Sequence, residues 1–146
     1  MEHIFNLNID WTGGRNGTGQ LVARDLQTAV SIPVEMEGPN AGTNPDEMLL
    51  GAAATCYIIT LATLFQNAKI EVFELTIASE ATVDVTNGVY TFKKIVHRPN
   101  IVTSLLEERL QKKVQQLAQK AESACMISKA LKGNVEIHVE PLHEMR

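Results

Sequence analysis

Residues 43–56 read Thr-Asn-Pro-Asp-Glu-Met-Leu-Leu-Gly-Ala-Ala-Ala-Thr-Cys, and they decide the fold because they open one long apolar helix. Asn44 is placed to cap that helix, and Pro45 suits its first position. Glu47 stands where a capping-box carboxylate reaches back to the cap. The pattern predicts a helix that begins after Asn44 and runs to about Ala68.

This helix carries an uncharged run over residues 48–65, about as long as a minimal membrane span. The run contains a glycine, several alanines and three threonines, and it lacks flanking aromatic and basic residues. An apolar helix of this kind in a short chain is usually buried between layers or at a subunit interface. We therefore expect no membrane span, and we expect the remaining face to pack against a second copy in a twofold dimer.

The residues before the helix predict a β-hairpin and a third strand. Loose alternation over residues 3–11 and an extended pattern over 20–26 flank a glycine-rich turn at 12–19, with Arg15 at its tip. A third strand is expected over residues 28–35, before a loop rich in glycine, proline and asparagine.

The residues after the helix predict a second hairpin, a second helix and a closing strand. An Asn-Gly turn joins the hairpin strands, and the second helix shows apolar residues at helical spacing. The expected elements are strands at 71–85 and 89–98, a helix from about 105 to near 125, a helical turn at 128–132 and a strand at 135–139. This order predicts a single α+β domain over residues 1–146, with helices on one face of a largely antiparallel sheet.

Composition and motifs argue against several classes of function. The chain has 146 residues and a net charge of -4 without a basic stripe, so no nucleic-acid partner is expected. The first residues lack a secretory signal, which predicts a cytoplasmic protein. No phosphate-binding glycine motif occurs, and His3, His97, His138 and His143 show no ligand spacing, so they are interpreted as structural or surface residues. We expect no cofactor and no metal.

The two cysteines, Cys56 and Cys125, are the strongest indication of chemistry. In a reducing compartment, two distant cysteines favour a transient or catalytic disulfide over a permanent one. A thiolate can attack a peroxide and be regenerated by thiol exchange. The alternative interpretation is an inert core residue for Cys56 and an apolar helix-end residue for Cys125.

Activation of Cys56 requires a group outside its own helix. Cys56 lies about ten residues into the helix, roughly 15 Å from its start and well past the first turn, where the helix dipole no longer acts. Burial alone would raise the pKa of a thiol, so a nucleophilic Cys56 needs a nearby cation. Arg15 is the candidate because it lies in a flexible glycine turn. The alternative interpretation is that Arg15 is a solvated turn residue without a catalytic role.

A carboxylate would hold the Arg15 guanidinium in place, and Asp46 and Glu47 are the candidates. At about 100° per residue, Glu47 falls on the face opposite Cys56, while Asp46 lies within about 80° of it. Asp46 is therefore the preferred anchor. Both residues also have a structural explanation, since acidic side chains in a first helical turn satisfy free amides.

The chain resembles the OsmC/Ohr proteins, the osmotically induced and organic-hydroperoxide-resistance thiol peroxidases, over nearly its whole length. The residues that carry the resemblance are, in chain order, Gly13-Gly14-Arg15, Gly42-Thr43-Asn44-Pro45, Cys56, Arg98-Pro99, Cys125-Met126-Ile127-Ser128-Lys129-Ala130 and Gly133-Asn134-Val135. Two cysteines in both expected contexts make it more specific than a single motif. One departure is Met126-Ile127, where many relatives carry proline next to the second cysteine.

The resemblance implies an intertwined homodimer of α+β subunits, with two active sites at the subunit interface. It makes Cys56 the peroxidatic cysteine, Cys125 the resolving cysteine and Arg15 the cation that stabilises the thiolate. The family's catalytic carboxylate follows the Asn-Pro pair and therefore falls on Asp46, where glutamate is usual. Glu47 is the alternative carboxylate.

The function implied is a thiol-dependent peroxidase of oxidative-stress defence that prefers organic hydroperoxides to hydrogen peroxide. Cys56 would attack the O–O bond, its sulfenic acid would condense with Cys125, and a lipoyl-type or thioredoxin-like dithiol would reduce the disulfide. No metal or flavin is required. Apolar residues near the cysteine's face of the helix favour organic substrates. They are Leu49, Ala52, Ala53 and Ile59.

Two other classes of function stay open. The protein could be a non-catalytic carrier that binds an apolar or lipid-like molecule at the dimer interface. It could also be an interaction protein whose partner binding responds to oxidation. Neither class has a motif in this chain.

Overall fold

The long apolar helix forms where the sequence predicts it. A computed structural model describes all residues from Met1 to Arg146, and helix α1 spans Pro45–Asn67. The Asn44 side-chain oxygen accepts the Glu47 N–H at 2.9 Å, which confirms the predicted cap. The Asn44 side-chain amide donates to the Glu47 carboxylate at 2.6 Å, so Glu47 bonds the side chain of the cap rather than its backbone N–H. The helix ends before Lys69, which adopts a left-handed φ of 57°.

Asn44→Ala is expected to lower the free energy of unfolding by about 1–2 kcal/mol, because a buried cap loses both hydrogen bonds to Glu47. Urea unfolding at neutral pH measures this loss. Asn44→Ser is the matched control, since it keeps an oxygen acceptor at the cap and is expected to lose less than the alanine variant. Equal losses in the two variants would contradict the capping role.

Residues Met1–Met48 form one of two compact units, and its framework is a three-stranded antiparallel sheet. The strands are β1 (Asn8–Thr12), β2 (Thr18–Val22) and β3 (Gln27–Val30). Strands β1 and β2 extend to the Thr12–Thr18 pair, so their turn is tighter than predicted. Strand β3 ends at Val30 rather than near position 35, because Pro33 has no N–H to offer and a 3-10 turn follows at Val34–Met36.

Residues Leu49–Arg146 form the second unit, which contains a four-stranded mixed sheet. Strands β4 (Glu74–Thr86) and β5 (Val89–Thr103) form the predicted hairpin, and Asn87 and Gly88 both have the positive φ that such a turn needs. Two short strands, β6 (Glu136–Val139) and β7 (Leu142–Met145), both pair with β5 in parallel. The α+β class is therefore confirmed, but with two separate sheets, one of them mixed.

Strand β5 continues through Pro99, where the sequence predicts an end at Arg98. Its residues 94–97 pair with β6 and its residues 100–103 pair with β7. Arg98 and Pro99 fall between these two partners, so the missing proline N–H breaks no ladder bond on that edge. Strand β7 is not predicted by the sequence, because Pro141 ends the alternating pattern and the residues after it are mostly polar.

Helix α2 spans Glu108–Ala124, and the short helix α3 spans Met126–Leu131. An apolar core joins α1, α2 and β5. Its buried members are Tyr57, Leu61, Phe65, Ile101, Val114, Leu117, Ala118 and Ala121. The Tyr57 hydroxyl also donates to the Ala118 carbonyl at 2.8 Å. These contacts fix α1 against α2 at the residue that follows Cys56.

Helix α1 buries only one of its faces. Its buried residues recur every four positions, and they are Ala53, Tyr57, Leu61 and Phe65. Ile59, by contrast, is 61% exposed. By length and composition α1 is apolar enough to cross a membrane, a test that the core helix of a soluble protein also passes. Burial of the second face against another subunit stays a prediction.

Candidate active site

The two cysteines come together in the second unit. Cys56 lies in the middle of α1, and Cys125 lies between the end of α2 and the start of α3. Both are free thiols, and the Cys125 thiol donates a hydrogen bond to the Cys56 sulfur. The packing of α1 on α2 thus produces a pair that a single bond would convert into a disulfide.

The two sulfurs differ in their access to solvent. Cys56 is half-buried, whereas Cys125 has an exposure of 0%. A molecule from solution therefore reaches Cys56 and not Cys125. This difference matches a pair in which one thiol reacts with an outside molecule and the other reacts only with its neighbour.

Hydrogen-bond donors surround the Cys56 sulfur and stabilise its thiolate. Burial raises the pKa of Cys56, but donors from Cys125, the N–H groups of Ile127 and Met126 and the Thr60 hydroxyl outweigh it. The pKa of Cys56 therefore lies below its ordinary value. The two N–H groups belong to the first turn of α3, where backbone amides have no partner within the helix.

The pKa of Cys125 is shifted in the opposite direction, above its ordinary value. Burial raises the pKa of Cys125, and so do the hydrogen bond that it gives to Cys56 and the negative charge on that sulfur. The Ser128 hydroxyl and N–H act in the other direction, but they do not reverse the shift. When the reduced pair loses a proton, the negative charge therefore favours Cys56, with the Cys125 thiol as donor.

Arg15 lies at the tip of the turn between β1 and β2, as predicted. Its guanidinium donates to the Met36 carbonyl at 2.6 Å, to the Glu37 carbonyl at 3.5 Å and to the Asn16 side chain at 3.2 Å. These carbonyls follow from the 3-10 turn at Val34–Met36, which points them at the arginine.

The expected carboxylate anchor for Arg15 is not present in this conformation. Neither Asp46 nor Glu47 forms an ion pair with it, because Glu47 is engaged by the Asn44 side chain and carbonyl oxygens already occupy the guanidinium. Of the predicted site residues, the structure therefore brings together Cys56 and Cys125. Arg15, Asp46 and Glu47 belong to the first unit. The catalytic roles of these three residues stay predictions.

Sequence reasoning missed four contributors to the site: Thr60, Met126, Ile127 and Ser128. The position of Cys56 in α1 predicts the need for a cation, whereas the first turn of α3 supplies amide donors. Backbone amides leave no mark in the sequence. Thr60 lies one helical turn after Cys56, so spacing alone could have identified it. Its one hydroxyl proton can go either to the Cys56 carbonyl, which is 2.7 Å away, or to the Cys56 sulfur.

A buried histidine packs against the residue next to Cys56. The rings of His97 and Tyr57 stack with centroids 4.8 Å apart and an interplanar angle of 19°. His97 has an exposure of 0%, its Nδ1 lies 2.7 Å from the Ser79 hydroxyl, and its Nε2 has no partner. Burial lowers the pKa of His97 to about 4, so the ring is neutral at pH 7. Its role is structural, as predicted for the histidines.

The sequence is similar to proteins of one family. Residues 38–140 match the family described as OsmC-like protein. The chain is 51% identical over 142 residues to the uncharacterized protein YmaD of Bacillus subtilis (strain 168), covering 95% of this chain and 93% of YmaD. It is 25% identical over 139 residues to an organic hydroperoxide resistance protein of Xanthomonas axonopodis pv. citri (strain 306), covering 92% of each.

Solved structures share the fold. An organic hydroperoxide resistance protein from Elizabethkingia anophelis has a TM-score of 0.77 at 24% identity, covering 98% of this chain and 99% of that one. An organic hydroperoxide resistance protein OsmC from Legionella pneumophila has a TM-score of 0.76 at 22% identity, covering 97% and 99%. At these identities the similarity to the solved structures shows the fold alone.

Proposed function

The chain belongs to the OsmC-like protein family, and from this premise we propose that it is a thiol-dependent peroxidase that reduces hydroperoxides through Cys56 and Cys125. The observation that carries the proposal is the thiol pair: a half-exposed Cys56 with a lowered pKa accepts a hydrogen bond from a buried Cys125. An accessible thiolate is the species that attacks peroxides, and a neighbouring thiol is what resolves the product.

The proposed cycle has three steps. The Cys56 thiolate attacks the outer peroxide oxygen, the O–O bond breaks, and the departing alkoxide takes a proton to become an alcohol. The Cys125 sulfur then attacks the Cys56 sulfenic acid, whose hydroxide leaves as water with the Cys125 proton. An external dithiol returns two electrons to the disulfide and restores both thiols.

Organic hydroperoxides are the proposed substrates. Ala52 and Ile59 lie four residues before and three residues after Cys56, so they share its helix face, and both are exposed. An apolar surface beside the reacting sulfur favours an alkyl or aryl peroxide over hydrogen peroxide. The names of the Xanthomonas and Elizabethkingia relatives support the same class. Ala53 is fully buried, so it does not contribute to this surface as the sequence suggested.

A location, an oligomeric state and a reductant complete the proposed function. We place it in the cytoplasm as a homodimer in which the exposed apolar face of α1 is covered, with a lipoyl-type or thioredoxin-like dithiol as reductant. Its role would be defence against oxidative stress. Arg15 with Asp46 or Glu47 is proposed to assist the Cys56 thiolate on the strength of the family resemblance alone.

Cumene hydroperoxide added to reduced protein tests the proposal. We expect one equivalent to be consumed per chain while both free thiols disappear, and we expect continued turnover when dihydrolipoamide is present. Peroxide loss and thiol content are measured together, with protein alkylated by iodoacetamide as the control. No consumption would exclude the peroxidase and favour a carrier. One equivalent consumed without turnover by any dithiol would favour an interaction protein that responds to oxidation.

A further inference from the structure

Ser128 has a buried hydroxyl that forms no hydrogen bond in the reduced protein. The residue is 4% exposed, and it is the third residue of α3. Buried hydroxyl groups normally find a partner, so an unengaged one calls for an explanation. The Ser128 hydroxyl and N–H lie beside the Cys125 sulfur, where they would stabilise a negative charge on it.

In the reduced protein the two donors of Ser128 have no strong acceptor. The Cys125 sulfur is then a thiol that gives its proton to Cys56, and a neutral thiol is a weak acceptor. A thiolate is a much stronger acceptor. The donors at Ser128 therefore suit a negatively charged Cys125, which the reduced resting pair does not contain.

Access to the disulfide indicates when Cys125 becomes charged. Only Cys56 can be reached from solution, because Cys125 has an exposure of 0%. A reducing dithiol must therefore attack the Cys56 sulfur, which makes Cys125 the leaving group. Thiol exchange is faster when the leaving thiolate is more stable.

We propose that Ser128 is a catalytic residue for the second half of the cycle, in which its hydroxyl donates to the Cys125 sulfur as that sulfur gains negative charge. This role depends on the proposed peroxidase function in one step, because that function supplies the sulfenic acid that Cys125 attacks. In the reduction, the dithiol sulfur bonds to Cys56, the Cys56–Cys125 bond breaks, and its electron pair goes to Cys125. Cys125 then takes up the proton that the dithiol released.

Oxidation of Cys56 also determines when Cys125 can attack. The Cys56 charge and the hydrogen bond to its thiolate both keep Cys125 protonated in the reduced pair. Both disappear when Cys56 becomes a sulfenic acid, while the Ser128 donors remain in place. Cys125 therefore becomes easier to deprotonate at the step in which it acts as the nucleophile.

Ser128→Ala tests the proposal in a disulfide prepared with diamide, which requires no peroxide. We expect dihydrolipoamide to reduce the Ser128→Ala disulfide about tenfold more slowly than the native one, because the leaving thiolate loses its hydroxyl donor. Ser128→Thr, which keeps the hydroxyl, is expected to restore the rate. Ser123→Ala is the matched control, since the exposed Ser123 hydroxyl donates to the Lys120 carbonyl, and its rate is expected to be native.

A second readout separates catalysis from a structural effect. In a Cys56→Ser background, the ultraviolet absorbance of the thiolate reports the pKa of Cys125, and Ser128→Ala is expected to raise that pKa by about one unit. An unchanged reduction rate or an unchanged pKa in Ser128→Ala would overturn the proposal. Neither measurement uses peroxide, so the proposed peroxidase activity and the role of Ser128 can fail independently.

Discussion

Cys56→Ser is expected to stop peroxide consumption, with a fall of about a thousandfold or more in the rate with cumene hydroperoxide. A serine hydroxyl stays protonated at neutral pH and cannot carry the oxygen as a sulfenic acid does. The substitution exchanges sulfur for oxygen in a half-buried side chain, so the fold is retained. Peroxide loss in the presence of dihydrolipoamide is the measurement. Native consumption in this variant would overturn the assignment of Cys56.

Two variants of Cys125 are the matched controls for Cys56→Ser. Without added dithiol, Cys125→Ser and Cys125→Ala are both expected to consume one equivalent of peroxide and to keep Cys56 as a sulfenic acid, because no disulfide can form within the chain. They should differ in the first step at neutral pH. Serine keeps a donor for the Cys56 thiolate, whereas alanine removes it and lets the pKa of Cys56 rise. Equal first-step rates in the two variants would contradict the donor role of Cys125.

The free energy of unfolding is expected to fall by about 3 kcal/mol through His97 alone as the pH decreases from 6.5 to 4. The pKa of His97 is lowered in the folded protein, from 6.5 to about 4, by burial. Between these values the unfolded chain binds a proton that the folded chain does not, so stability is complete above 6.5 and is lost as the pH falls. Burial lowers the pKa of His143 as well, which adds to the loss.

Urea unfolding of wild type and His97→Gln at several pH values between 7.5 and 4 measures this loss. We expect the variant to be less stable at neutral pH, because it loses the stack on Tyr57, but to depend less steeply on pH. His138→Gln is the control, since His138 is exposed and should keep the wild-type slope. If His97→Gln also kept that slope, His97 would not be the group responsible.

Local signals in the sequence were sufficient for α1 and for the second hairpin. The cap at Asn44 and the turn at Asn87-Gly88 each depend on residues within a few positions, and both formed as predicted. The continuation of β5 through Pro99 depends instead on β6 and β7, which pair with either side of that proline. Pairing partners of this kind cannot be read from the strand that they complete.

The candidate site, too, was predictable only in the part that depends on residue type. Residue type identified the two thiols, because cysteine is rare in this chain and its chemistry is distinctive. The activating groups include amides of Met126 and Ile127, which any residue except proline would supply at those positions. The departure from proline in the motif after Cys125 therefore has a physical consequence, since a proline there would remove a donor. The position of Asp46 on α1 carries no information about the Met36 carbonyl that holds Arg15, because that carbonyl lies outside the helix.

The attachment of Tyr57 determines which part of the protein moves when the cysteines are oxidised. Its hydroxyl bond to Ala118 and its stack on His97 tie α1 to both α2 and β5, so α1 cannot rotate without breaking buried contacts. A disulfide brings two sulfurs to about 2 Å, much closer than a hydrogen bond. The displacement must then be taken up by the six-residue helix α3, which begins directly after Cys125. Oxidation is therefore expected to shift this short helix more than the sheet and the two long helices.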